Sequence, residues 1–145
     1  MEYKLRPLQS EDKEFLRNLC ERCYRDVVVR QFGQWDPDLQ RGFFEKKWDP
    51  EKFRAINTQE GDVGALSAWE EPDCLRLSEI LVDPTFQNRG IGTQVVKDVI
   101  DEAGSKGLRV RLQVLHKNKA RQLYLRLGFK EYEETDTHVL MELSV

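Results

Sequence analysis

Histidine is scarce, with only His116 and His138, and the three cysteines, Cys20, Cys23 and Cys74, make one Cys-x-x-Cys pair and a singleton. Neither the number nor the spacing suits a zinc site, which draws its ligands from two spaced pairs. Cys20 and Cys23 fall inside an amphipathic helical stretch, so all three read as reduced structural thiols rather than redox or metal-binding groups. No apolar run approaches the about 20 residues needed to cross a bilayer. No positively charged start leads into an apolar segment, and no repeat, low-complexity tract or long linker divides the chain. Gly-x-Gly-x-x-Gly and Gly-x-x-x-x-Gly-Lys-Ser/Thr are both missing, which argues against a Rossmann dinucleotide site and a P-loop. With 145 residues and a net charge of -3, the chain is expected to form one soluble, cytoplasmic domain over residues 1–145, with no metal, membrane or nucleic-acid partner.

What is present alternates between strand and helix patterns. Glu2 to Arg6 reads as a strand. Phe15, Leu16, Leu19, Cys20, Cys23 and Tyr24 then form the stripe of a first helix that starts near Ser10 and ends near Asp26. Asp36-Pro37 opens a second helix to about Trp48, with Leu39, Phe43, Phe44 and Trp48 as its apolar set. Phe53 to Thr58 and Asp62 to Glu70 make a hairpin around Glu60-Gly61, followed by a strand from Leu75 to Val82. Two further strands, Lys130 to Glu134 and Thr137 to Leu143, close the chain.

The densest information lies at Gln87-Asn88-Arg89-Gly90-Ile91-Gly92. It follows the strand ending at Val82 and precedes Ile91, Val95, Val96, Val99, Ile100 and Ala103, which recur at helical spacing. Glycines let a bulky ligand come close, and the first turn of a helix leaves N–H groups unpaired at a positive dipole end. Such a loop suits a phosphate or pyrophosphate, although a plain glycine turn has the same letters. A second segment runs from Asn118 to Phe129. After the strand Leu108 to Leu115, Asn118 caps a short helix whose Ala120, Leu123, Tyr124 and Leu127 share one face, and Gly128 ends it.

Together these segments resemble the GNAT superfamily of acetyl-CoA-dependent N-acetyltransferases. The pyrophosphate loop of that family, Gln/Arg-x-x-Gly-x-Gly/Ala, is matched by Gln87, Gly90 and Gly92, and its second signature by Asn118, Tyr124 and Leu127-Gly128-Phe129. The resemblance covers nearly the whole chain and is closest from about Leu75 to Phe129. It implies an α/β (α+β) GNAT fold: a mixed sheet of about seven strands with a splayed central parallel pair, flanked by four helices. It implies acetyl-CoA as cofactor, held by Gln87, Asn88, Arg89, Gly90, Ile91, Gly92 and Thr93, by Asn118, Arg121 and Tyr124, and by the main chain of Ile80, Leu81 and Val82. A bulge near Ser78 to Ile80 is expected there, because Glu79 falls on the parity of Leu75 and Leu77; a strand buried on both faces is the alternative.

Acyl transfer to an amine sets requirements. An amine of pKa about 10.4 is neutral in about one molecule in 2,500 at pH 7, a penalty of about 4.6 kcal/mol, so its proton needs a base or a water path. The thioester oxygen, negative during transfer, needs an N–H donor such as that of Ile80 or Leu81. The resemblance nominates Tyr124 as the acid for the leaving thiolate, against its reading as a core tyrosine. Glu79, an acid inside the strand, is the candidate base, its alternative being a salt-bridged carboxylate. Some branches of the family carry a Glu where this chain has Gln113, and glutamine cannot act as a base. Arg89, Lys117, Lys119 and Arg121 cluster around the two motifs as cations for phosphates. The acceptor wall is expected at Phe32, Trp35, Phe44 and Trp48, with Glu79, and at Asp136, Thr137 and His138.

The function expected is therefore transfer of acetyl from acetyl-CoA to a primary amine of a small molecule or peptide, directly within a ternary complex. No cysteine lies in either motif to carry a covalent acyl group. A non-catalytic GNAT-fold sensor or interaction module that binds acyl-CoA is the alternative. The family often forms homodimers, and the residues neither require nor forbid one.

Overall fold

The computed structural model describes residues 2–144. Seven strands pair in the order β1-β2-β3-β4-β5-β7-β6, where β1 is Lys4–Pro7, β2 Arg54–Thr58, β3 Gly61–Glu70, β4 Cys74–Val82, β5 Arg109–Leu115, β6 Lys130–Glu134 and β7 His138–Leu143. The sheet is mixed, with β4 and β5 as its parallel pair. Four helices accompany it: α1 (Lys13–Phe32), α2 (Pro37–Lys47), α3 (Ile91–Ser105) and α4 (Ala120–Arg126). The expected mixed α/β fold is therefore the one observed. The β4–β5 ladder registers Cys74, Leu75 and Arg76 against Arg109, Val110 and Arg111, and both strands run on beyond those pairs.

The chain divides into two compact units, one of Met1–Ser67 with Glu79–Ile91, the other of Ala68–Ser78 with Gly92–Val145. The first holds the β1-β2-β3 meander, the end of β4 and the first two helices. Leu16, Leu19, Phe44, Phe53 and Leu81 meet in its core, with Trp48 and Tyr24 packed against them. Helix α1 runs to Phe32, about two turns past the boundary expected near Asp26. Three successive valines disfavour helix by propensity, yet Val27 and Val28 are buried, and packing outweighs a few tenths of a kcal/mol per residue. Gly33, at φ 91, ends the helix with its N–H on the Val29 carbonyl. At its other end Ser10 lies in a 3-10 turn instead of capping the helix directly.

Asp36 caps α2, its carboxylate accepting from the N–H groups of Asp38 and Leu39 at 3.1 and 3.2 Å. The apolar set expected on this helix is only partly internal. Phe44 is buried and stacks on Trp48 with centroids 6.0 Å apart, whereas Leu39 and Phe43 are 52% and 51% exposed. The helix presents one apolar stripe to its core and keeps a second in contact with water.

In the second unit β5 alternates as a half-buried strand should, with Val110, Leu112 and Val114 inside and Gln113 exposed. Its antiparallel partner β7 contributes Val139 and Met141. Val95, Val96, Val99 and Ala103 form the buried face of α3. Among the described residues no helix is long and apolar enough to cross a membrane.

Candidate acyl-CoA and amine site

Leu75, Leu77 and Leu81 are buried and Glu79 is half-buried between Leu77 and Leu81. Its carboxylate is 12% exposed and has two partners, both on Oε1: the Tyr24 hydroxyl donates at 2.7 Å and the Lys47 ammonium at 2.9 Å. Glu79 is thus salt-bridged, the alternative that the sequence left open. Burial alone would lower the Lys47 pKa, but the charge of Glu79 and its hydrogen bond hold it above its ordinary value. Lys47 also lies 5.2 Å from the Tyr24 ring centre. No local motif points to Tyr24 or Lys47: one belongs to an apolar stripe, the other to the basic last turn of α2.

Beyond Val82 the chain turns sharply and is pinned at each step. Asp83 accepts from the N–H of Thr85 at 2.9 Å and receives both arms of the Arg22 guanidinium at 3.0 and 2.8 Å. Gln87 donates from Nε2 to the Val82 carbonyl at 2.8 Å, and its N–H meets Pro84 at 3.4 Å. Gln87, expected at the cofactor, thus uses its side-chain amide to hold the loop. The Val82 carbonyl also accepts from the Cys23 thiol at 3.2 Å, which uses both of its lone pairs. Burial pushes Cys20 up to about 11 and Cys23 up to about 12, so both remain neutral thiols.

Asn88 at φ 65 and Gly90 at φ 87 take left-handed conformations, and a Cβ at Gly90 would meet nothing within 4 Å. The loop is exposed from Gln87 to Gly90, while Ile91 is buried and anchors the first turn of α3. Gly92 and Thr93 follow in that turn, where N–H groups lack intrahelical partners. Arg89 lies 5.3 Å from the Phe86 ring centre and pairs with Glu60 at 3.2 Å. One cation expected to await phosphate is therefore already balanced by a carboxylate.

In the second unit Asn118 Oδ1 accepts from the N–H of Ala120 at 2.9 Å, capping α4, and Gly128 follows that helix at φ 100. Arg121 makes two bonds to Glu131, at 2.6 and 3.0 Å, and is balanced like Arg89. Tyr124 is 4% exposed and meets Phe129 edge to face, centroids 5.5 Å apart. Its hydroxyl makes no hydrogen bond to the described residues, yet no buried side-chain oxygen among them lacks a partner. The phenol is thus packed on its ring, with a hydroxyl that is nearly enclosed and has no hydrogen bond among the described residues. Burial raises its pKa, which keeps the proton in place at neutral pH.

Trp48 belongs to the core stack, Trp35 lies under the Arg25 guanidinium at 6.0 Å, and Phe32 is 51% exposed. His138 shares a 2.7 Å hydrogen bond with the Thr137 hydroxyl, and burial, with His116, lowers its pKa toward the neutral imidazole.

A mixed sheet accompanied by four helices, with a left-handed glycine turn just before one of them, defines a mixed α/β fold. The sequence profile of the Acetyltransferase (GNAT) family matches residues 13–129. An uncharacterized N-acetyltransferase of Methanocaldococcus jannaschii is 42% identical over 144 residues, covering 90% of this chain and 62% of that protein. A thialysine N-epsilon-acetyltransferase of Bos taurus is 35% identical over 74 residues, covering 50% of this chain and 43% of that protein. The chain thus spans less than two thirds of the length of these curated relatives. The fold is similar to that of the PaiA N-acetyltransferase of Thermoplasma acidophilum in its complex with coenzyme A, with TM-score 0.81 and 18% identity over 100% of both chains. The chain belongs to the GNAT acetyltransferase family.

Proposed function

We propose that the chain is an acetyl-CoA-dependent, cytoplasmic N-acetyltransferase that acts on a primary amine of a small molecule or peptide by direct transfer. The observation that carries the reading is the exposed loop from Gln87 to Gly90 leading into the first turn of α3, with Asn88 and Gly90 left-handed and open space where a side chain at Gly90 would stand. Such a loop aims successive N–H groups outward, the donor set that a pyrophosphate needs. Asn88, Arg89, Gly90, Ile91, Gly92 and Thr93 would hold it, Gln87 and Arg22 keeping the loop in shape. Ile80 and Leu81 supply further main-chain groups, with Asn118 and Arg121 assigned to the cofactor from the second motif. Acetyl-CoA supplies an activated acetyl group as a thioester.

Tyr124 holds a proton on Oη for the departing sulfur; a buried phenol with no hydrogen bond among the described residues and a raised pKa fits that role. Glu79 accepts the proton of the amine. Phe32, Trp35, Trp48 and His138 remain candidates for contact with the acceptor. The salt bridge of Glu79 and the presence of Gln113 favour the second reading, a non-catalytic acyl-CoA sensor, to the extent that they weaken the base.

Calorimetric titration with acetyl-CoA, coenzyme A and butyryl-CoA, followed by a primary-amine screen for release of free thiol, tests the proposal. Saturable binding with turnover is expected. Binding without turnover on any amine selects the sensor, and absence of binding defeats both readings.

A further inference from the structure

The two oxygens of Glu79 are unequal. Oε1 accepts from Tyr24 at 2.7 Å and from Lys47 at 2.9 Å, which fills it. Oε2 has no bond to the described residues, and since none of their buried side-chain oxygens is left without a partner, Oε2 reaches an accessible surface. A carboxylate held by one oxygen and open at the other is oriented before any ligand arrives.

We propose that Tyr24 and Lys47 are positioning residues for Glu79, fixing the carboxylate through Oε1 and leaving Oε2 as the oxygen that takes the proton of the acceptor amine. The inference rests on the acetyltransferase reading above. In the step itself the N–H bond of the ammonium breaks, its electron pair stays on nitrogen, and the proton forms an O–H bond at Oε2, to be returned to solvent. Lys47 sits 2.9 Å from Oε1 and offsets the charge of the carboxylate in the resting state. Among the described residues, the titratable groups facing Glu79 include Tyr24 and Cys20 from α1 and Lys47 from α2. Cys20 remains a neutral thiol and adds no charge.

The test is a titration of the full chain labelled with carbon-13 in its glutamate carboxyls, the Glu79 signal being assigned by its loss in Glu79→Gln. Lys47→Met is expected to move the midpoint of that signal upward by about one pH unit or more, and Tyr24→Phe by less in the same direction. Lys47→Arg, which keeps the charge, restores most of the midpoint and controls for a folding defect. Unmoved midpoints in both variants overturn the clamp. With an amine found active in the screen, the acidic limb of kcat/KM is expected to follow the same displacement. A displaced carboxyl signal with an unmoved limb overturns Oε2 as the proton acceptor. Absence of turnover on every amine counts against the acetyltransferase reading, while the carboxyl titration still decides the clamp.

Discussion

Gly64 of β3 passes so close to Leu81 of β4 that a Cβ on it would lie 2.1 Å from the Leu81 carbonyl oxygen. No side chain fits there without moving backbone, and the backbone in question belongs to the strand that carries Glu79. Gly64→Ala should destabilise the protein by about 1–3 kcal/mol through overpacking. Gly104 in α3 is the contrast: a Cβ there meets nothing within 4 Å, and Gly104→Ala should stabilise by about 0.5–1 kcal/mol. Urea unfolding of both variants checks the pair, and equal effects would contradict the packing argument.

Gly90→Val should cost binding rather than core stability. At φ 87 a β-branched residue is strained by about 1–3 kcal/mol, and the exposed loop relieves the strain by leaving its left-handed geometry. Acetyl-CoA affinity is expected to fall about tenfold or more, as measured by calorimetry, with the unfolding midpoint little changed. Wild-type affinity in this variant would remove the loop from the cofactor site.

Tyr124→Phe separates packing from chemistry, because the ring contact with Phe129 survives and the hydroxyl has no partner among the described residues to lose. Stability should change by less than about 0.5 kcal/mol. Turnover should fall about 100-fold with acetyl-CoA affinity unchanged. An undiminished kcat would return Tyr124 to the core residues.

Arg6 bridges Asp12 at 3.1 Å and Asp62 at 2.7 Å, joining β1 to the turn before α1 and to the start of β3. Its hydrogen bond lowers the Asp12 pKa; at Asp62 burial pushes the pKa up, and the hydrogen bonds from Arg6 and Asn57 with the Arg6 charge together bring it below the ordinary value. Carboxylates lowered in the folded state contribute stability above their unfolded pKa, about 3.9, and lose it as pH falls through the folded value. Arg6→Met should therefore cost about 1 kcal/mol or less at pH 7, and the difference should close below about pH 4. Denaturant titrations at pH 7 and pH 3 test the sign; a gap that widens in acid would refute it.

Helix caps, glycine positions and hydrophobic period are local properties, and they determined the order of elements and both family segments before any contact was known. Asp36, Asn118, Gly90 and Gly128 do in space what their neighbours in the chain suggest. The extra turns of α1 and the exposure of Leu39 and Phe43 were not legible, because each depends on what lies opposite in the fold.

Side-chain roles divided along the same line. Sequence nominated Gln87, Arg89, Arg121 and Glu79 by type and position, but pairing energies belong to residues distant along the chain. Val82, Glu60, Glu131 and Lys47 took up those donors and charges. The chain alone determined that an acid stands on β4 and a tyrosine on α4. Only the tertiary structure decided that the acid is gripped at one oxygen and that the tyrosine hydroxyl makes no hydrogen bond among the described residues, because hydrogen bonds of a few ångströms are made by folding and not by spacing.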